Sequence, residues 1–279
     1  MKLTRTCYEC LRKLVCQSAE LATDDDEIRA QAVKEGMKAL ETNFSYDEVS
    51  IVVATKIHDV IKQTTGNPDP YYLMKQREIE IARELFNEIK PKYGDGFKGL
   101  LRLAVLGNTL DFFRSFDVIK KEMRGEVHFV IDDSAQFEAK LENAGRILYL
   151  ADNAGEMFFD LPLIKWMRRF ATVTYVVKAA PVQNDITLEE VKQAGLDSEI
   201  GDIMTTGTAT PGIVFSLASA QFKREFELTD LIFAKGMGYY EALSELPADG
   251  RVFYCLKAKC QPVADSLGVP LISFVAMLQ

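Results

Sequence analysis

From about residue 97 onward, short apolar runs recur at intervals filled by helix-forming stretches, and this rhythm limits the folds open to the chain. The runs are residues 127–131, 146–151, 172–177, 231–234, 252–255 and 271–275. Several are almost unbroken β-branched or aromatic residues, the pattern of strands covered on both faces rather than one. The intervening stretches at 133–144, 161–170, 188–194 and 211–222 carry helical patterning. Strand–helix alternation of this kind predicts an α/β fold: a Rossmann-like, mostly parallel sheet with helices on both faces.

Residues 1–96 read instead as a helical N-terminal region. Acids at Asp24 to Glu27 suit the positive end of a helix that continues through Leu40. Ser45-Tyr46-Asp47-Glu48 has the S-x-x-E form of a capping box ahead of Val49 and Ile51, and Thr64-Thr65-Gly66-Asn67-Pro68 stops that helix. Pro70 opens the next, with Asp69 placed to cap it. The expected organisation is therefore a helical region over 1–96 and an α/β catalytic domain over 97–279, joined near Lys92-Tyr93-Gly94-Asp95-Gly96.

Composition removes several chemistries. Lys+Arg number 33 against Asp+Glu 41, a net charge of −8, which argues against a nucleic-acid partner. No apolar run reaches the roughly 18 residues of a membrane span, and the N-terminus turns polar too early for a secretory signal, so the expected compartment is the cytoplasm. The two histidines, His58 and His128, cannot build a His-rich zinc site and leave serine–histidine triads short of candidates. Carboxylates, amides and lysines must carry any catalysis.

Ligands of open parallel sheets bind beyond the carboxyl ends of the strands. After residues 147–150 comes Asp152-Asn153-Ala154-Gly155-Glu156, hard oxygen donors on a glycine-containing turn. After 173–177 comes Asn184-Asp185. Either pair alone could be turn and cap punctuation. Together Asp152, Asn153 and Asp185 could hold one divalent cation with positions left for water and phosphate. Residues 205–212, Thr-rich and containing Gly207, read either as a phosphate cradle at a helix N-terminus or as a plain loop. Lys235 and Gly236 follow another strand, and Lys257 and Lys259 a further one, bringing cations to the same edge. Asp132-Asp133 lacks the D-x-D spacing of aspartyl-phosphate phosphatases. Cys7-Tyr8-Glu9-Cys10 is half of a thiolate site that Cys260 could complete in space, as a second metal or redox site; plain helix packing is the other reading.

The blocks Asp152-Asn153-Ala154-Gly155-Glu156, Asn184-Asp185, Lys235-Gly236 and Lys259-Cys260 are similar to those of the DUF89, ARMT1-like damage-control phosphatases. Gly66-Asn67-Pro68-Asp69-Pro70 and Gly107-Asn108 fit as well, and the N-terminal C-x-x-C resembles the prokaryotic and archaeal branch. The resemblance implies hydrolysis of small phosphorylated metabolites with Mn²⁺, Co²⁺, Ni²⁺ or Mg²⁺. It implies Asp152, Asn153 and Asp185 as metal ligands, with Asp152, Glu156 and Lys235 in the chemical step. Asn108, Asn184, Gly207, Lys235, Gly236 and Lys257 would surround the phosphate. The family's Lys-Gly turn continues Gln-Gly-Asn, whereas Met237 and Tyr239 occupy the polar places here, so a polar substrate contact expected there lacks its side chains. An S-adenosylmethionine-dependent methyltransferase would share the sheet but wants a glycine-rich loop after its first strand. A non-catalytic metal or nucleotide sensor, with Cys7 and Cys10 as its switch, is the remaining alternative.

Overall fold

The structure, a computed structural model, describes residues 1–110 and 116–279. Four helices open the chain: α1 (Arg5–Ala22), α2 (Asp26–Asn43), α3 (Ser50–Thr65) and α4 (Tyr72–Ile89). Then follow α5 (Phe97–Gly107), α6 (Phe116–Met123), β1 (Phe129–Asp132), α7 (Ser134–Leu141), β2 (Arg146–Leu150), α8 (Met157–Met167) and β3 (Thr172–Val177). Next come α9 (Leu188–Gln193), α10 (Asp197–Ile200), β4 (Ile203–Thr205), α11 (Ala220–Leu228), β5 (Leu231–Lys235), α12 (Gly236–Leu243), β6 (Val252–Lys257), α13 (Gln261–Leu267) and β7 (Phe274–Leu278). Among the described residues no helix is long and apolar enough to cross a membrane.

The seven strands form one sheet in the order β1-β7-β6-β5-β2-β3-β4. All neighbouring pairs are parallel except β6 with β7. Alternation along each strand explains the helical layers on both faces. On β2, Ile147 and Tyr149 enter one apolar core with α4, α5, α7 and α8, while Leu148 and Leu150 enter another with α11, α12 and α13. Phe233 of β5 stacks on Tyr149 in the first core, with ring centroids 4.7 Å apart. Helices α1, α2 and α3 close a third core around Val15, Leu40, Ile57 and Ile61. The first core runs across residue 97, because Ile79, Ala82, Leu85 and Ile89 of α4 lie in it beside Leu103 and Tyr149.

Several expectations are corrected. Residues 211–222 are not a helix: α11 starts at Ala220, capped by Ser219, whose Oγ accepts from Phe222 N. The last strand begins at Phe274 rather than Leu271, after Ile272 turns the chain at φ 69° and donates its N–H to Ala258 O. Helix α8 begins at Met157, ahead of Leu161, and runs through Pro162. Ser45 caps nothing, since α3 begins at Ser50; α4 begins at Tyr72 with Tyr71 at the N-cap, so Asp69 is not its cap. Strand β4 was not expected. Thr187 and Glu190 form a capping box that opens α9.

The topology locates the crevice. From β2 the chain steps outward to β3 and β4, then returns to place β5 on the other side of β2. That reversal is the topological switch point at which open α/β sheets bind ligands.

Candidate active site at the switch point

The loops after β2 and β3 are tied to each other by their backbones. Asn153 and Asp185 face one another in an isolated antiparallel bridge; Ala154 N donates to Asn184 O at 2.8 Å and Ile186 N to Asp152 O at 2.9 Å. The bridge brings Asp152, Asn153, Asn184 and Asp185 together from two strand ends. From the other side of β2, Gly236 opens α12 with φ 75°, and a Cβ there would overlap the Asp152 carboxylate. A residue lacking a side chain is what lets the α12 N-terminus approach Asp152.

Two amides organise the carboxylates. Asn108 Nδ2, at the end of α5, donates to Asp152 Oδ2 at 2.9 Å and to Glu156 Oε1 at 2.8 Å. Its Oδ1 accepts from Lys257 N at 3.1 Å, so this buried amide joins three loops. Asn153 Nδ2 donates to Glu156 Oε1 at 2.6 Å and to Asp152 Oδ2 at 3.2 Å, which leaves Oδ1 as the atom that side chain offers a cation.

Lys235 is wholly buried and its protons are committed. Its Nζ donates to Ala104 O at 2.6 Å and Asp160 Oδ1 at 2.8 Å, and pairs with Glu156 Oε2 at 2.8 Å. Burial alone would raise the Glu156 carboxyl, but the Lys235 ammonium and the Asn108 amide hold it below the ordinary range. Asp160 is pushed up to about 6, chiefly by burial. Asp152 goes well above its ordinary value through burial, then through the charges of Glu156 and Asp185. Burial likewise brings Asp185 to about 6. Its Oδ2 is buried without a hydrogen bond among the described residues but is ion-paired with Lys178 Nζ at 3.4 Å. Lys178 is itself buried and donates to Gly212 O and, at 3.0 Å, to Tyr239 OH. Tyr239 thus serves a lysine rather than the crevice.

Of the expected phosphate neighbours, Asn108, Asn184, Lys235 and Gly236 converge here. Lys257 contributes its backbone N–H, while its ammonium pairs with Glu122 of α6 and lies 5.1 Å from the centre of the Phe274 ring. Gly207, at φ 77°, packs against Ser219, the N-cap of α11, although residues 205–212 do not themselves lead into a helix. Lys259 is half-buried; its charge reaches Asp152, Glu156 and Glu78, and no acceptor binds its Nζ among the described residues.

Cys7 and Cys10 lie one turn apart on α1, and Cys260 caps α13. Burial raises the Cys260 thiol to about 12, with Glu241, Cys10 and Cys7 adding to the rise. A thiol this hard to ionise is a poor nucleophile. Among the described residues no set of three or more His, Cys, Asp or Glu side chains is disposed to hold a metal.

Sequence reading overlooked Glu78, Asp160 and Lys178. Glu78 of α4 is buried, with Oε1 accepting from Gly155 N and Oε2 from Asn184 Nδ2, both at 2.9 Å. A signal existed: Lys75 and Glu78 share the helical stripe of Ile79, Ala82, Leu85 and Ile89. Charges on an apolar stripe announce buried polar work.

Fold and site together define an α/β protein whose carboxylates, amides and lysines meet at the switch point of a mostly parallel sheet. Residues 3–275 match the profile of the damage-control phosphatase ARMT1-like domain, and the chain belongs to that family. It is 33% identical to the damage-control phosphatase PH1575 of Pyrococcus horikoshii, covering 99% of this chain and 98% of that one. It is 34% identical to a damage-control phosphatase of Archaeoglobus fulgidus over 99% of both. The crystal structure of the Pyrococcus horikoshii DUF89 family protein superimposes with a TM-score of 0.90, at 34% identity, covering 100% of this chain and 99% of that one.

Proposed function

We propose that this centre hydrolyses small phosphate monoesters of metabolite size. Asp152 and Asp185 would hold a divalent cation (Mn²⁺, Co²⁺, Ni²⁺ or Mg²⁺) through their carboxylates, and Asn153 through Oδ1. The observation that carries this reading is the Asn153–Asp185 bridge, which sets two carboxylates and an amide around a buried Asp185 oxygen that accepts no hydrogen bond among the described residues. Two carboxylates and one amide fall short of an all-protein cage. Such a donor set suits a hard cation that keeps waters and takes further oxygens from a substrate phosphate. When bound, a cation of this kind polarises phosphoryl oxygens and lowers the pKa of water.

The chain's own groups supply orientation and charge. Lys259, half-buried and without an acceptor among the described residues, is the cation available to the phosphoryl oxygens. The N–H groups opening α12 point from beside Asp152 and favour an anion. Lys235 works indirectly, by keeping Glu156 ionised. Glu156 in turn receives both amides and so fixes the face that Asn153 presents. Water adds to phosphorus and gives up a proton, the ester P–O bond breaks, and that proton ends on the leaving oxygen, giving the alcohol and inorganic phosphate.

Purified protein should hydrolyse p-nitrophenyl phosphate when supplied with Mn²⁺, Co²⁺ or Ni²⁺ and lose that activity to a chelator. Asp152→Ala should abolish it with the melting temperature little changed. Full activity in that variant sinks the assignment.

A further inference from the structure

Helix α4 lies outside the sheet, yet it reaches the two loops on which the proposed cation site is built. The Glu78 carboxylate bridges them: one oxygen takes the Gly155 N–H from the loop after β2, the other the Asn184 amide from the loop after β3. The fit is close. A Cβ on Gly155 would come within 2.8 Å of Glu78 Cγ and 3.0 Å of Ala82 Cβ, so the loop packs directly on these two side chains of α4. One turn earlier, Lys75 Nζ pairs with Glu190 Oε1 at 2.6 Å, and Glu190 Oε2 accepts from Thr187 N at 2.9 Å. The loop carrying Asp185 is therefore gripped by α4 on both sides of that residue. Gln183, immediately before Asn184, has φ 46°, a left-handed conformation uncommon for a residue other than glycine. The loop holds that shape against its own preference, and the Asn184–Glu78 contact is one of the restraints.

We propose that Glu78 is a positioning residue for the divalent-cation site, setting the spacing between the Asp152–Asn153 and Asp185 donors from a helix of the N-terminal region. The proposal rests on the metal-site reading above. Glu78 touches neither the donor atoms nor a substrate; it acts through the Gly155 N–H and the Asn184 amide. Outer partners of this kind ordinarily change metal affinity by about 10–100-fold when removed. Both groups facing Glu78 are donors, so a replacement is graded by how many acceptors it keeps. Glu78→Met keeps none at similar length. Glu78→Gln keeps one.

The test is Mn²⁺ titration of the chelator-treated full chain by calorimetry, with Mn²⁺-dependence of p-nitrophenyl phosphate hydrolysis as a second readout. The expected order of affinity is wild type, then Glu78→Gln, then Glu78→Met, the last about 10–100-fold weaker. Saturating Mn²⁺ should restore most of kcat. Ile79→Val, on the same face of α4 and remote in kind from any polar contact, should bind Mn²⁺ like wild type while losing some thermal stability. Wild-type affinity in Glu78→Met overturns the proposal. So does an equal loss in Ile79→Val, which would mean that helix docking in general is responsible. Asp152→Ala separates the two levels: if it binds Mn²⁺ like wild type the metal-site reading itself fails, and if it alone loses binding only the role of Glu78 does.

Discussion

Gly236→Ala tests the geometry of the centre through one methyl group. The substitution has two effects that can be measured apart. The first is backbone: at φ 75° an L-residue sits in the left-handed region, at a cost of about 1–2 kcal/mol. The second is steric. The new Cβ would overlap the Asp152 carboxylate, reaching 3.0 Å from its farther oxygen and penetrating the nearer one. Restoring an ordinary contact requires that carboxylate or the opening of α12 to withdraw by more than about 1 Å, and misplacement on that scale costs about 100-fold in rate. That is roughly 2.7 kcal/mol of transition-state stabilisation. Gly195→Ala isolates the first effect, because Gly195 has φ 72° with nothing within 4 Å of its Cβ position. Gly195→Ala should lose about 1–2 kcal/mol in urea titrations, and Gly236→Ala more, because the overlap adds to the backbone cost. In Mn²⁺-supplemented p-nitrophenyl phosphate assays, kcat/KM should fall more than about 100-fold in Gly236→Ala and stay near wild type in Gly195→Ala. Equal kcat/KM in the two variants would refute the placement of Asp152 against α12.

Two further outcomes follow from buried charge. Burial of His58, helped by the Lys62 charge, lowers its pKa from 6.5 to about 3, so the imidazole is neutral in the folded protein across the range where the unfolded chain protonates it. The unfolded state then binds more protons, and His58 favours the fold fully above pH 6.5 and progressively less below it. The loss approaches about 1.4 kcal/mol per pH unit until the folded imidazole itself titrates. Urea midpoints of wild type and His58→Gln between pH 7.5 and 4.5 check this; parallel curves would contradict it. Lys75 is buried between Asp69 at 2.8 Å and Glu190 at 2.6 Å. Lys75→Met strands two carboxylates and should cost about 3–5 kcal/mol in chemical denaturation, and a loss under about 1 kcal/mol would show the triad to be unimportant.

What the sequence revealed of the fold depended on burial. Strands β2, β3, β5 and β6 announce themselves because both of their faces enter apolar cores, which makes their sequences continuous runs. Strand β4 is a half-buried edge of three residues, too short for any pattern. The end of the chain misleads for a stereochemical reason: Leu271 and Ile272 are apolar but 45% exposed, spent on a turn that pins Ala258 rather than on a strand. Pro211 looks like the first residue of a helix. Its neighbour Gly212 instead packs against Gly238 and offers its carbonyl to Lys178, so the segment is held as a loop from outside. The loops bearing Asp152 and Asp185 were legible because their residue types are unusual at strand ends. Their joining by Glu78 was not, since Glu78 makes its contacts 77 and 106 positions along the chain and sits in a helix otherwise rich in exposed charge.

Net charge conceals the electrostatic problem that this centre solves. Glu78, Glu156, Asp160 and Asp185 are buried carboxyl groups and Asp152 is a half-buried fifth, with Lys178, Lys235 and Lys259 as nearby cations. Fully ionised, the set would carry three positive and five negative charges. Burial first, and then the neighbouring negative charges, lift Asp152 well above its ordinary value and Glu78 to about 8. On the proposed reading, one divalent cation would offset the excess of two negative charges. On the same reading, a phosphate monoester would bring fresh negative charge into that centre. It would be met at Lys259, whose Nζ has no acceptor among the described residues, and beside the N-terminus of α12. It is not tolerated at Lys235, whose three contacts are already taken. The two lysines at neighbouring strand ends are therefore not interchangeable: Lys235 keeps a carboxylate ionised inside the protein, whereas Lys259, without an acceptor among the described residues, would be the one to meet an anion on the proposed reading.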